Sequence, residues 1–396
     1  MRILYVVTAY DRTAGEGITP WLVETIHRLG ARGVDVEVLA PSYRGLGGAE
    51  IGGVPVHRFR YAPAAWETLT HDQTAPDRVR ERPLFLGLLP GFAAGAAAAA
   101  ARVARGGAFD LVHVHWPLPM ILPGWAARRA AGIPLVCSFH GVELTFARNT
   151  PVPFLVPFLR RAIRSADAVT ANSTYTAGLV RALHERPVAV IPFGASIPVP
   201  PEAPPLSLDG PLRLLFVGRL VERKGVQYLL DALALARART SLFLDVVGQG
   251  PEQARLEAQA RALGVADIVR FHGFVSREEL ARKYLHSQVF VLPAAPDAKG
   301  DVEGLGVVLI EAMSYGRAAI ATAAGGIPDI VKDDVSGVLV PPADAAALAD
   351  AIVGLARDPA RLGRLGRDGR AYVQEHFGWQ GVIDRLVDLY RRTTNA

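Results

Sequence analysis

Strand and helix alternate along this chain, and the alternation runs twice. Short apolar, β-branched runs occupy residues 2–8, 34–40, 109–113, 133–139, 167–170 and 188–191, with helical periodicity between them, for example at 18–32 and 174–184. Strict alternation predicts a parallel sheet wound on both faces by helices. Residues 50–60, with Gly52 and Gly53 in the middle, predict an inserted hairpin. Residues 198–211 then read PVPPEAPPLSLDGP, with five prolines in the first eight positions. Such a stretch is stiff and extended, and it marks a domain boundary. Beyond it strands recur at 212–217, 242–247, 268–271, 289–292, 318–321 and 337–340.

The expected fold class is therefore α/β, two Rossmann-like doubly wound domains in tandem. The N-terminal domain spans 1–197, the linker 198–211 and the C-terminal domain 212–377. Ligands of such sheets bind at the carboxyl ends of the strands, here facing a cleft between the domains. With 396 residues, half of them hydrophobic, both domains can fill a core.

The formal charge is +5, and it is unevenly spread. Residues 1–195 hold 20 Lys and Arg against 14 Asp and Glu, a net +6, and residues 196–396 hold 23 against 24, a net −1. A basic first half suits an anionic partner, such as a membrane surface or a phosphorylated acceptor, although a plain preference for Arg explains it equally. No basic run interleaves with aromatics, so a nucleic-acid partner is not expected. Cys137 stands alone in an apolar run, which excludes a disulfide framework and fits a reducing compartment. The chain opens on a strand, MRILYVV, with no leader-like segment ahead of it. Residues 84–101 carry no charge, but their glycines, proline and alanines predict a buried helix on the sheet rather than a membrane span.

The densest chemistry lies at 300–328, GDVEGLGVVLIEAMSYGRAAIATAAGGIP. Glu303 sits in a glycine-rich loop with Gly304, and Glu311 follows, with seven residues between them, on a helix beginning near Val307. The amides of Leu305, Gly306 and Val307 gather at that helix start, a ready anion site. Carboxylates for hydroxyls beside bare amides for phosphate suit a sugar nucleotide. Upstream, FVGRLVERKG at 216–225 puts Gly218, Arg219 and Lys224 just past a strand end. Two cations there neutralise a diphosphate, and a guanidinium grips it bidentately.

The spacing of Glu303 and Glu311 resembles the E-x7-E signature of retaining GT-B glycosyltransferases, and of family 4 in particular. Gly325-Gly326-Ile327-Pro328 and the run 216–225 are similar to the same family. The resemblance implies that Glu311 bonds the donor ribose, that Glu303 contacts the donor sugar, and that Arg219 and Lys224 do the work of a divalent metal. It implies a last helix crossing back onto the first domain, for which 379–392 is the candidate, with Val382, Leu386 and Leu389 on its apolar face.

Other residues are weighed beside these. Gly15 and Gly17 follow the first strand, where the family's loop meets the donor diphosphate. A plain turn explains them as well, and Pro20 spoils a G-x-G-x-x-G fingerprint. His140 ends the strand 133–139 and resembles the family histidine that contacts the transferred sugar. Its expected role is hydrogen bonding. His113 and His115 invite a metal reading but lack a third ligand at sensible spacing. Arg148, Arg160, Arg161 and Arg164 flank a Phe- and Leu-rich run that suits either a lipid surface or a packed helix with outward arginines.

The expected activity is retaining, metal-independent transfer of a hexose from a UDP- or GDP-type sugar to a lipid, polysaccharide or small-molecule acceptor, with no cofactor. Catalysis is assigned to His140, Arg219, Lys224 and Glu303. No carboxylate stands where a covalent nucleophile is expected, so the resemblance implies a same-face mechanism. The expected location is cytoplasmic, at most peripheral to the membrane. A GT-B sugar-nucleotide epimerase, a dinucleotide-dependent oxidoreductase and a non-catalytic sugar-nucleotide-binding subunit are the competing readings.

Overall fold

The computed structural model describes residues 1–71, 75–202 and 210–395, so half of the proline-rich stretch lies outside the described residues. The chain divides into two compact units. The first comprises Met1–Asn172, Thr176–Ile191 and Val382–Ala396, and the second Ser173–Tyr175 and Pro192–Gly381. Each has its own hydrophobic core.

The first unit runs β1 (Arg2–Val6), α1 (Pro20–Gly30), β2 (Asp35–Pro41), β3 (Ala49–Ile51), β4 (Val54–Phe59), α2 (Ala75–Glu81), α3 (Leu89–Gly106), β5 (Leu111–His115), α4 (Pro117–Ala131), β6 (Leu135–Phe139), α5 (Val142–Asn149), α6 (Leu155–Ser165), β7 (Ala168–Ala171), α7 (Thr174–Leu183) and β8 (Ala189–Val190). Its sheet is ordered β3-β4-β2-β1-β5-β6-β7-β8. All neighbours are parallel except β3 and β4, the expected hairpin. β5, β6 and most of β1 are buried on both faces, which is why these strands read as continuous apolar runs.

The second unit runs β9 (Leu212–Val217), α8 (Val226–Ala236), β10 (Leu242–Val247), α9 (Gln253–Ala262), β11 (Val269–Gly273), α10 (Arg277–His286), β12 (Val289–Leu292), α11 (Val307–Ser314), β13 (Ala318–Thr322), α12 (Ile327–Ile330), β14 (Val338–Val340), α13 (Ala345–Arg357) and α14 (Pro359–Phe377). Its parallel sheet is ordered β11-β10-β9-β12-β13-β14. Side chains set the helix starts: Asp344 accepts from Ala347 N at 2.9 Å, and Asp358 from Arg361 N at 2.9 Å. Ala195 and Ile197 are buried in this core, and Arg370 binds the carbonyls of Pro200 and Pro201. These contacts hold residues from Pro192 onward in the second unit.

The last helix, α15 (Trp379–Thr394), starts in the second unit and from Val382 belongs to the first, as the family resemblance implies. Val382, Leu386 and Leu389 are buried. Tyr390 fixes the docking. Its hydroxyl lies 2.6 Å from that of Tyr5 and 2.7 Å from His113 Nδ1, and His113 Nε2 lies 2.6 Å from Ser138 Oγ. His113 is thus a structural residue inside β5 rather than one standing at its end.

The stretch 84–101 departs from expectation. Pro83–Gly106 is apolar and long enough to cross a membrane by length and composition, but only 28% of its most apolar window is buried. Phe92, Ala96, Ala99, Ala100 and Ala104 of α3 join the core, while Leu84, Leu86 and Leu89 are exposed. Alanines on one stripe are small enough to pack closely, whereas the leading leucines have nothing to cover them.

Candidate active site

In the second sheet the strand order reverses between β9 and β12, and the carboxyl ends of those two strands flank the reversal. The loop after β9 carries Gly218, Arg219 and Lys224, and the loop after β12 carries Glu303. Lys224 closes a single 3-10 turn, Glu222–Lys224, ended by Gly225. Its side chain crosses Gly218, where a Cβ would lie 3.7 Å from the lysine Cε, and its ammonium pairs with Glu303 Oε2. Both side chains are largely buried. Burial alone raises the Glu303 carboxyl, but the Lys224 charge and hydrogen bond, helped by Arg223 and the Leu305 amide, bring it below the ordinary value. Arg219 is exposed, with no carboxylate paired to it among the described residues.

The two glycines of the GGIP run hold this loop. Gly326 N–H donates to Glu303 O at 3.0 Å. A Cβ on Gly325 would collide with the same carbonyl, and its φ of +57° is itself unfavourable for other residues. The two motifs are therefore one structure. After Gly304 and Leu305 the chain enters α11 through Gly306, whose φ is +94°, and no side chain caps the helix start. Glu311, one turn further, is 5% exposed. Its Oε1 accepts from Ser196 N at 3.1 Å and its Oε2 from the Tyr284 hydroxyl at 3.0 Å. Burial pushes its carboxyl up to about 7 against these bonds.

His140, Gly15 and Gly17 belong to the first unit. Gly15 and Gly17 both have φ of +80°. The amides of Gly17 and Ile18 donate to the Asp11 carboxylate at 3.0 and 2.9 Å. The protein thus supplies its own anion to the amide of Gly17. His140 follows β6 and is 8% exposed, with Nε2 3.2 Å from His115 Nδ1. Its ring stacks on Trp116 at 4.5 Å, and the Trp21 ring lies at 5.2 Å. Burial lowers its basicity to about 3, which keeps the ring neutral.

Several partners escaped sequence reasoning. Ser196 and Tyr284 carry no motif. Asp11 could have been found as an acid six residues before a glycine ahead of a helix. Glu143 could have been found as a first-turn acid: its Oε1 accepts from His140 N at 2.8 Å. Among the described residues, no three His, Cys, Asp or Glu side chains gather as a metal site.

Glycosyltransferase models match both halves of the chain, glycosyltransferase family 4 at residues 16–197 and glycosyl transferases group 1 at 203–372. A GDP-mannose-dependent alpha-(1-6)-phosphatidylinositol monomannoside mannosyltransferase of Mycolicibacterium smegmatis is 32% identical over 68% of this chain and 73% of its own length. A D-inositol 3-phosphate glycosyltransferase of Streptomyces bingchenggensis is 33% identical over 72% and 67%. In fold alone, the chain is similar to a sucrose-phosphate synthase from Thermosynechococcus elongatus, with TM-score 0.77, 24% identity and 99% of each chain covered. An Anabaena protein, HepE, solved with UDP and glucose, gives TM-score 0.72 at 20% identity over 99% of this chain and 100% of its own. The chain is a glycosyltransferase of the GT-B fold and belongs to glycosyltransferase family 4.

Proposed function

We propose that this glycosyltransferase moves a hexose from a nucleoside diphosphate sugar with retention of configuration and without an essential metal. The observation that carries the proposal is the Lys224–Glu303 pair beside the uncapped start of α11. In this reading a donor diphosphate lies against the amides of Leu305, Gly306 and Val307, and Lys224 and Arg219 offset the charge that grows on the leaving group. Lys224 then turns from Glu303 to the phosphate, which releases the Glu303 carboxylate to accept from sugar hydroxyls. Glu311 takes the ribose hydroxyls. The leaving phosphate helps to deprotonate the acceptor on the same face.

The second unit is the proposed donor domain, and the first the acceptor domain, where His140 meets the transferred sugar. The printed activities of the two relatives favour GDP-mannose as the first donor to try and a phosphorylated inositol compound as the first acceptor. A basic first half agrees with an anionic acceptor. Location at the cytoplasmic face of a membrane is part of the same reading.

Nucleotide release from a panel of GDP-, UDP- and ADP-sugars tests it. GDP or UDP release that depends on an added acceptor is expected, with the anomeric configuration of the product conserved by NMR. An inverted product would end the retaining assignment, and no release from any donor would end the donor reading.

A further inference from the structure

The strand ends of the first unit hold buried polar chemistry that the proposed function does not use. Glu143 sits in the first turn of α5 and is 4% exposed. One of its oxygens accepts the His140 amide, and the other, Oε2, is buried with no partner. His115 Nε2 and Asn172 Oδ1 are also buried without a partner. They lie at the ends of β5 and β7, the two strands that flank β6 in the sheet. Folded proteins rarely leave such atoms unpaired, because burial costs stability and returns nothing. Three such atoms lie on neighbouring strand ends, beside His140.

The same place fixes one residue with unusual care. Gly141, between His140 and α5, has φ of +102°, and a Cβ there would stand 3.3 Å from Thr176 Oγ1. Trp116, whose φ of +53° is strained for a bulky side chain, presses its ring on His140. His140 is thus held through its ring face by Trp116, through Nε2 by His115 and through its backbone by Glu143.

We propose that Glu143 is a positioning residue for sugar transfer, acting through His140. The proposal rests on the role given above to His140. Glu143 itself does not reach substrate, since its carboxyl is enclosed. Burial pushes that carboxyl up to about 7, so near neutral pH much of it is uncharged. Glutamine matches this form in shape and charge, and its amide oxygen can still accept from the His140 amide.

The test compares Glu143→Gln with Glu143→Ala in the full-length protein. Alanine should lower kcat by about tenfold or more, while GDP or UDP affinity by calorimetry stays within about twofold of wild type. Glutamine should hold kcat within about threefold. An alanine variant with wild-type kcat would overturn the proposal. So would one that loses nucleotide affinity and thermal stability together, because that is general damage. Amide hydrogen exchange is the second readout: His140 protection should fall in the alanine variant and persist in the glutamine variant. It decides the matter even if wild type releases nucleotide from no donor, an outcome that sinks the donor reading instead. Unchanged protection in the alanine variant sinks this one.

Discussion

Lys224 and Glu303 form a largely buried pair, so each is a partner in the fold as well as a proposed reagent. Removing one leaves the other charged and enclosed, which costs about 3 kcal/mol. Lys224→Ala should therefore lower stability in a urea titration and cut turnover about a hundredfold, the loss expected when a transition-state charge partner is removed. Adding Glu303→Gln should restore the stability and leave turnover low. A double variant that regains activity would show that Lys224 matters only as a counter-charge. Glu311 gives a pH signature. Its folded carboxyl titrates near 7, above its ordinary value of 4.5, so the folded state holds a proton that the unfolded chain has released. Its contribution is full below 4.5 and is lost as pH rises to 7. Glu143 acts in the same direction. Glu303, with a depressed value, contributes in the opposite sense and loses its share as pH falls. Glu311→Gln should flatten the decline of melting temperature between pH 4.5 and 7, and an unaltered slope would remove this account. Glu303 and Glu311 were legible in the sequence, but their environments were not, and Glu143 was missed altogether. Ser196 and Tyr284 reach Glu311 from 115 and 27 residues away, a proximity that only the fold creates.

At the scale of elements, the strands were legible nearly residue for residue. β9 and β12 fall where the apolar runs placed them, because strands buried on both faces need uninterrupted Val, Leu, Ile and Phe. Helix faces were harder to read. The stretch 84–101 has the composition of a buried helix, and nothing in its pattern says that the leucines ahead of Phe92 remain uncovered. The loop after β1 was misleading for a similar reason: its glycines permit a phosphate, but the Asp11 carboxylate already takes the Gly17 amide. The GGIP run shows the converse, a motif whose purpose becomes plain in three dimensions. Gly325→Ala places a methyl against the Glu303 carbonyl and strains the backbone, so it should cost more than about 1 kcal/mol. Because the displaced carbonyl belongs to Glu303, kcat should fall with it. A stable, fully active alanine variant would separate the two motifs.

For the whole molecule, the charge division sets the expected surface behaviour. α6 buries Leu155, Leu159, Ala162 and Ile163 and turns Arg160, Arg161 and Arg164 outward, with exposed Phe154 just ahead of it. This is a packed helix with outward arginines, and it leaves a basic, partly apolar surface on the first unit. Binding to anionic vesicles should weaken as salt rises, and equal binding to neutral vesicles at every salt concentration would refute it. Turnover should also survive EDTA, because the proposed function assigns the positive charge to Arg219 and Lys224. Loss in EDTA with recovery in Mn²⁺ would refute the metal-independent assignment.

The contact between Tyr5 and Tyr390 joins residues 385 positions apart in one unit. A ribosome makes β1 well before α15. Until α15 is made, the hydroxyl of Tyr5 and the Nδ1 of His113 lack this partner. The first unit is therefore finished only after the second has been synthesised. A chain that stalls or breaks inside the second unit leaves the first with a groove where α15 should lie and with orphaned polar atoms beneath it. Quality control can recognise such a product by its exposed apolar surface. The stability of β1 thus depends on a helix synthesised after the entire second unit.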